Sequence, residues 1–254
     1  MIRADIRRAA ADARRGIARL ARPVGEFDAR RYFRGDVDLR FHNVGTDPMR
    51  RFARAMYDAH KASWSVGDAN AFAGILIEDD YLEVKSVGIE VVARYRREFT
   101  PRLLPVWKRW LSDDHSANWA TTDAMCGMLI GPLLAQHPRL APQMRRWARH
   151  RNLWVRRAAA VGLIPTVRRG LAMDLAYDVA RALHPDPHDL IHKAVGWMLR
   201  EAGKADAVRL ERYLRTEGPS IPRTTVRYAI ERFSPAKRRQ LLGTTRGTQR
   251  SPAR

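Results

Sequence analysis

The chain is written almost entirely in helical periodicity. In stretch after stretch, apolar side chains recur every three to four residues, while the strict alternation of a half-buried strand is nearly absent. The pattern predicts helices over 3–21, 27–34, 47–61, 67–78, 81–97, 100–111, 118–136, 138–149, 153–164, 171–184, 190–203, 205–215, 222–232 and 235–242. Most prolines fall at these boundaries, where a missing N–H donor does least harm, but Pro105, Pro132 and Pro142 sit about a turn inside. Those three helices are expected to start late, kink or end early.

The helices also repeat. Asp80, Asn118, Asn152 and Asp189 each stand just before a long helix, as N-cap residues do, at separations of 38, 34 and 37 residues. After three of them comes a similar small, apolar stretch: TTDAMCGMLI, RRAAAVGLI and HKAVGWML. A period of this length, with two helices per unit, predicts an all-α fold, an α-solenoid of HEAT-like repeats whose concave face could accept a duplex. The expected organisation is a basic N-terminal helical arm over 1–25, one solenoid domain over 26–242 and a disordered basic tail over 243–254.

Charge narrows the partners. There are 47 Lys and Arg against 27 Asp and Glu, a net charge of +20, and 41 of the cations are arginine. Genomic base composition accounts for arginine over lysine, but not for the excess of cations over anions. That excess binds polyanions at low salt, and arginine's planar fork matches phosphate. No apolar run approaches a membrane span and no signal-like segment opens the chain, so no membrane partner is expected. The lone Cys126 excludes a disulfide framework and cysteine-based metal sites. Histidines 115, 150, 184, 188 and 192 lack metal-ligand spacing and read as helix-end or polar positions; nucleotide and hydrolase motifs are missing, so no cofactor is expected.

Three helices carry residues that a plain core does not need. In LIHKAVGWMLREAG, Ile191, Ala194, Val195, Met198 and Ala202 form one apolar stripe, with Lys193, Trp197 and Arg200 nearly opposite. Trp197 therefore either faces a ligand or is capped by a neighbouring helix. In WATTDAMCGMLIGPLL, Trp119 and Asp123 are four apart and share a face, with Thr121, Ala124, Met125 and Met128 on the other side. Asp123 is a carboxylate entering apolar territory, either functional or bridged to an arginine of the next repeat. In LWVRRAAAVGLI, Trp154, Ala158 and Val161 form the core stripe, Arg157 flanks it and Arg156 points away. Arg157 reads equally as a phosphate clamp or as the partner of Asp123.

These segments resemble the AlkD-like alkylpurine DNA glycosylases, the HEAT-like-repeat DNA alkylation repair family. The match is carried by IHKAVGWMLRE (191–201), NLWVRRAA (152–159), NWATTD (118–123) and VGTDPMRR (44–51), in register over roughly 30–242. The resemblance implies a solenoid cradling duplex DNA and hydrolysis of the N-glycosidic bond of cationic N3-alkyladenine and N7-alkylguanine, with the lesion left stacked. By position, Asp123 is the catalytic carboxylate and Trp119 and Trp197 are the aromatic walls. Arg157 clamps the backbone, Arg200 assists, and Lys193 and Arg156 complete the DNA-binding set. Tyr32 is the candidate counterpart of a tyrosine near the family's first helices. Asn118 and Ala120 depart from the family pattern, where a second tryptophan and an acidic residue often flank the catalytic pair.

The chemistry suits these residues. Alkylation makes the purine a cationic leaving group, so what needs stabilising is an oxocarbenium-like sugar, which one carboxylate can serve. No lysine belongs to the Trp–Asp motif, so no lyase step is expected. The expectation is a monomeric glycosylase acting on double-stranded DNA in a bacterial cytoplasm, nucleoid-associated. The alternative is a non-catalytic helical-repeat protein that binds nucleic-acid shape.

Overall fold

The computed structural model describes residues 2–23, 25, 28, 33 and 39–245. Among them the chain is all-α, a helical-repeat fold whose β structure is one isolated bridge between Arg40 and Tyr81. It divides into two compact units, Met1–Leu133 and Leu134–Arg254. No helix of the described residues is long and apolar enough to cross a membrane.

The first unit begins with α1 (Ala4–Arg19), which buries Ile6, Ala9, Ala10, Ala13 and Ile17, a 3.6-residue stripe, against α2 (Thr46–His60), α3 (Val66–Leu76) and α4 (Leu82–Arg94). Arg14 ties α1 down through Asp79 at 2.7 Å and the Ile75 carbonyl at 3.0 Å. A capping box between Ser65 and Asp68 starts α3. The two helices α3 and α4 close so tightly that a Cβ on Gly88 would stand 3.1 Å from the Ala73 Cα. Then come α5 (Leu103–Ser112), built around Trp107, whose indole N–H donates to Asn70, and α6 (Trp119–Met125).

In the second unit α12 (Asp189–Ala205) is the longest helix and the spine. It packs against α9 (Leu153–Val161), α10 (Ile164–Val167), α11 (Met173–Leu183), α13 (Ala207–Glu217) and α14 (Arg223–Ala229). Its buried stripe is the expected one: Ile191, Ala194, Val195, Met198 and Ala202 are all inside. Each large member contributes about 1.5–3 kcal/mol of burial. Before the spine lie α7 (Gly131–Gln136) and α8 (Gln143–Trp147), and α15 (Pro235–Thr244) closes the described chain.

The inward prolines have three different outcomes. The helix holding Pro105 starts late, at Leu103, so the missing donor falls in its first turn. Pro142 becomes the N-cap of α8 and splits the predicted 138–149 helix into a 3₁₀ turn and a short α-helix. Pro132 does not end its helix. A π turn, Cys126–Ile130, links α6 to α7, and the wider loop absorbs the missing donor.

Two of the four predicted caps hold and two do not. Asn118 and Asn152 cap α6 and α9 with their side chains. Tyr81, not Asp80, precedes α4, and its N–H is taken by Asp79 at 3.0 Å while Asp80 faces Arg40. His188, not Asp189, caps α12; Asp189 is the first helical residue and pairs with Lys193. The helix predicted over 27–34, Tyr32 included, lies outside the described residues except at 28 and 33, and so does the tail beyond 245.

Candidate functional site

Trp119 and Asp123 occupy one face of α6, in the first unit, and both are half-buried. The start of that helix is held firmly. Asn118 is fully buried; its Oδ1 accepts from the Thr121 N–H at 2.8 Å, and its Nδ2 donates to the Ser116 carbonyl and to Thr121 Oγ1. One turn earlier, buried Lys85 reaches across from α4 to donate to the carbonyls of Ile77 at 2.7 Å and His115 at 2.6 Å. Burial pushes the Lys85 ammonium below its ordinary value. The loop it grips turns through two residues at positive φ, Asp114 and Ala117. Asn118, which departs from the family pattern, thus serves as the cap that sets where Trp119 and Asp123 begin.

Trp119 stacks on Phe33 with ring centroids 5.0 Å apart, and Phe33 leans on Phe41 at 5.3 Å. The three rings line a cavity of about 350 Å³ with Met49, Leu82 and Glu83. The buried Glu83 carboxylate accepts from the backbone N–H groups of His42 and Val44, each at 3.1 Å. Phe33, Phe41 and Glu83 were not legible as site residues. Phe41 lies between two predicted helices and Phe33 near the end of the one predicted over 27–34, with no spacing that ties either to Trp119; the one available signal was Glu83, a carboxylate inside the apolar run YLEVKSVGIEVV.

The other five candidates lie in the second unit. On α12, Trp197, Lys193 and Arg200 are half-buried and form the stripe opposite the core. Lys193 pairs with Asp189 at 2.7 Å, and Arg200 pairs with Glu231 while its Nε lies 3.8 Å from Glu201. That buried Nε–H finds no acceptor among the described residues. Glu201 is almost fully buried. Burial alone would raise its carboxyl, but hydrogen bonds from Arg168 and Lys204 outweigh this and hold it below its ordinary value.

On α9 the placement differs from the helical-wheel reading. Arg157 is buried, 5% exposed, and donates to the Leu190 carbonyl of α12 at 2.5 Å. Trp154, expected in the core, is only half-buried, and Val155 is inside. The cause is packing: α9 is flanked by α8, α11 and α12, so more than one face is covered. Arg156 does not point away into solvent; it pairs with Asp186 at 2.5 Å and donates to the His150 and Arg151 carbonyls. His184 stands at a helix end, as expected, as the C-cap of α11, but it is buried there against Tyr213, Nε2 to hydroxyl 2.6 Å, and burial pushes it down to about 4.

No group of three or more His, Cys, Asp or Glu positioned to hold a metal occurs among the described residues. In the first unit, then, Asp123 is a half-buried carboxylate on the same helical face as Trp119, which lines the aromatic cavity; in the second, Trp197 stands on a stripe with Lys193 and Arg200, both ion-paired.

Comparison with known proteins places these residues in context. The family model for the DNA alkylation repair enzyme matches residues 14–233. Among solved structures, a predicted DNA alkylation repair enzyme from Enterococcus faecalis superposes with a TM-score of 0.70 at 15% identity, over 90% of this chain and 96% of that one. No curated protein matches the chain.

Proposed function

We propose that this chain, which belongs to the DNA alkylation repair enzyme family, is a monofunctional glycosylase for cationic alkylated purines in duplex DNA. The observation that carries this reading is the pair on α6: Trp119 and Asp123 on one helical face, half-buried, their start fixed by Asn118.

In the proposed reaction the bond between C1′ and the alkylated ring nitrogen breaks, and the electron pair leaves with the purine, cancelling its positive charge. Asp123 stabilises the oxocarbenium-like sugar and orients the water that adds at C1′, whose proton is lost to solvent. Trp119 and Trp197 favour the cationic nucleotide through their ring faces, at about 0.5–2 kcal/mol each. Arg200 and Lys193, half-buried on α12, meet the phosphate backbone, while Arg157 and Arg156, expected in that set, are tied to the Leu190 carbonyl and to Asp186 and brace the helices behind them. The lesion is approached in the stack rather than flipped, so a bulky adduct needs no closed pocket.

A lyase step requires a neutral amine nucleophile. Lys193 is held in an ion pair with Asp189, and Lys85, whose burial does lower its proton affinity, is spent on two backbone carbonyls. Neither is assigned that role.

The reading is tested by incubating the protein with duplex DNA carrying N3- and N7-alkylpurines and identifying the products. Free alkylpurine and an intact strand with an abasic site are expected. No released base, from either lesion, refutes it. The second reading, a non-catalytic binder of nucleic-acid shape, is favoured by the net charge of +20. It predicts tight, salt-sensitive binding of undamaged duplex and no release.

A further inference from the structure

Along α12, helix α14 lies as a second rib. Thr224 Oγ1 donates to Asp189 at 3.1 Å, Thr225 Oγ1 donates to the His192 carbonyl at 3.0 Å, and Glu231, just past the helix, holds Arg200. The α12 positions 189, 192, 196 and 200 form one ridge at spacings of three and four. Gly196 is its centre. A Cβ there would stand 2.8 Å from the Thr225 carbonyl oxygen and closer still to the Cβ of Tyr228. The missing side chain therefore lets Tyr228 sit against the backbone of the residue preceding Trp197.

The core does not need the Tyr228 ring. Helix α14 buries Thr225, Val226 and Ala229, whereas Tyr228 is 37% exposed. It is the one aromatic among the exposed large hydrophobic side chains of the described residues. Its neighbour Arg227 is exposed and makes no ion pair or side-chain hydrogen bond among them. Aromatic faces set among arginines are the composition of a nucleic-acid platform, where the ring packs on base or sugar and the cations meet phosphate.

We propose that Tyr228 is a further DNA-binding residue, its ring packing on the sugar–phosphate backbone beside the nucleotide engaged by Trp197. Gly196 is the positioning residue that brings it there. The proposal rests on the glycosylase reading only for the identity of that nucleotide; the duplex contact stands by itself.

The test is equilibrium binding of fluorescently labelled, undamaged duplex DNA to the full chain at two salt concentrations, with thermal melting recorded for every variant. Tyr228→Ala is expected to weaken binding roughly 5–30-fold, as loss of one aromatic contact does. Tyr228→Phe and the exposed control Val208→Ala are expected within about twofold of wild type. Should Tyr228→Ala lose its native melting transition, Tyr228→Leu, which keeps the seat on Gly196, carries the same expectation. Wild-type binding by the folded variant overturns the proposal, and so does a wild type with no affinity for duplex. Because the probe is undamaged, weakened binding supports Tyr228 even if no base is ever released. A wild type that releases alkylpurine while Tyr228→Ala binds normally overturns this inference alone.

Discussion

The surroundings of α6 in the first unit and of α9 and α12 in the second are built on opposite plans. Around α6 the polar machinery is backbone-facing: Asn118, Lys85 and Glu83 all bond to main-chain groups, and Asn118 sets where the helix of Trp119 and Asp123 begins. Along α9 and α12 the candidates are cations, and each is already answered by an acceptor, whether Asp186, the Leu190 carbonyl, Asp189 or Glu231. A carboxylate on a firmly capped helix and two cations paired with exposed carboxylates, Lys193 with Asp189 and Arg200 with Glu231, suit different tasks. The first suits transition-state charge, which rewards groups fixed beforehand; the second suits backbone binding, where phosphate can replace a surface carboxylate at little cost. Arg156 and Arg157 face a buried carboxylate and a main-chain carbonyl instead, and are not exchangeable in this way.

That contrast can be broken at several points. The largest effect is expected at Asp123: Asp123→Asn should lower single-turnover base release by at least about 100-fold while leaving duplex affinity within twofold, measured by product assay and by anisotropy.

Acid should next distinguish the second unit through buried His184. Its folded value, near 4, lies below the ordinary 6.5, so the unfolded chain binds the extra proton first. The stability that His184 permits is present above about pH 6.5 and is lost as the pH falls toward 4. The loss is about 3 kcal/mol at roughly 1.4 kcal/mol per pKa unit. Urea unfolding should show it, and His184→Gln should flatten the dependence over that range.

Trp197→Ala, a half-exposed ring off the core stripe, should cost roughly tenfold in release with little change in melting. Glu231→Gln should be the mildest, tightening duplex binding by about two- to fivefold as Arg200 loses its competitor; unchanged or weaker binding would show that Arg200 is structural.

Much of this was legible in the sequence. Periodicity located the helices because amphipathic burial is a property of each segment alone, and the α12 stripes came out on their predicted faces. Errors arose where a neighbouring element decides. Arg157 is inside because α8, α11 and α12 surround α9, and no wheel drawn for one helix contains that fact. Asp80 and Asp189 have the right residue type for a cap, yet Asp79 and His188 take the N–H groups. The aromatic cavity beside Trp119 joins rings from segments far apart in sequence, and α14 lies this close to α12 only because Gly196 lacks a side chain.

The division of labour between Asp123 and the α12 cations is tested most directly by single-turnover base release from alkylated duplex at saturating protein, comparing Asp123→Asn with the double variant Lys193→Ala/Arg200→Ala. If the carboxylate serves the chemistry and the cations serve binding, saturation restores the double variant to within a few-fold of wild type and leaves Asp123→Asn without release. Recovery of Asp123→Asn under the same conditions would contradict it.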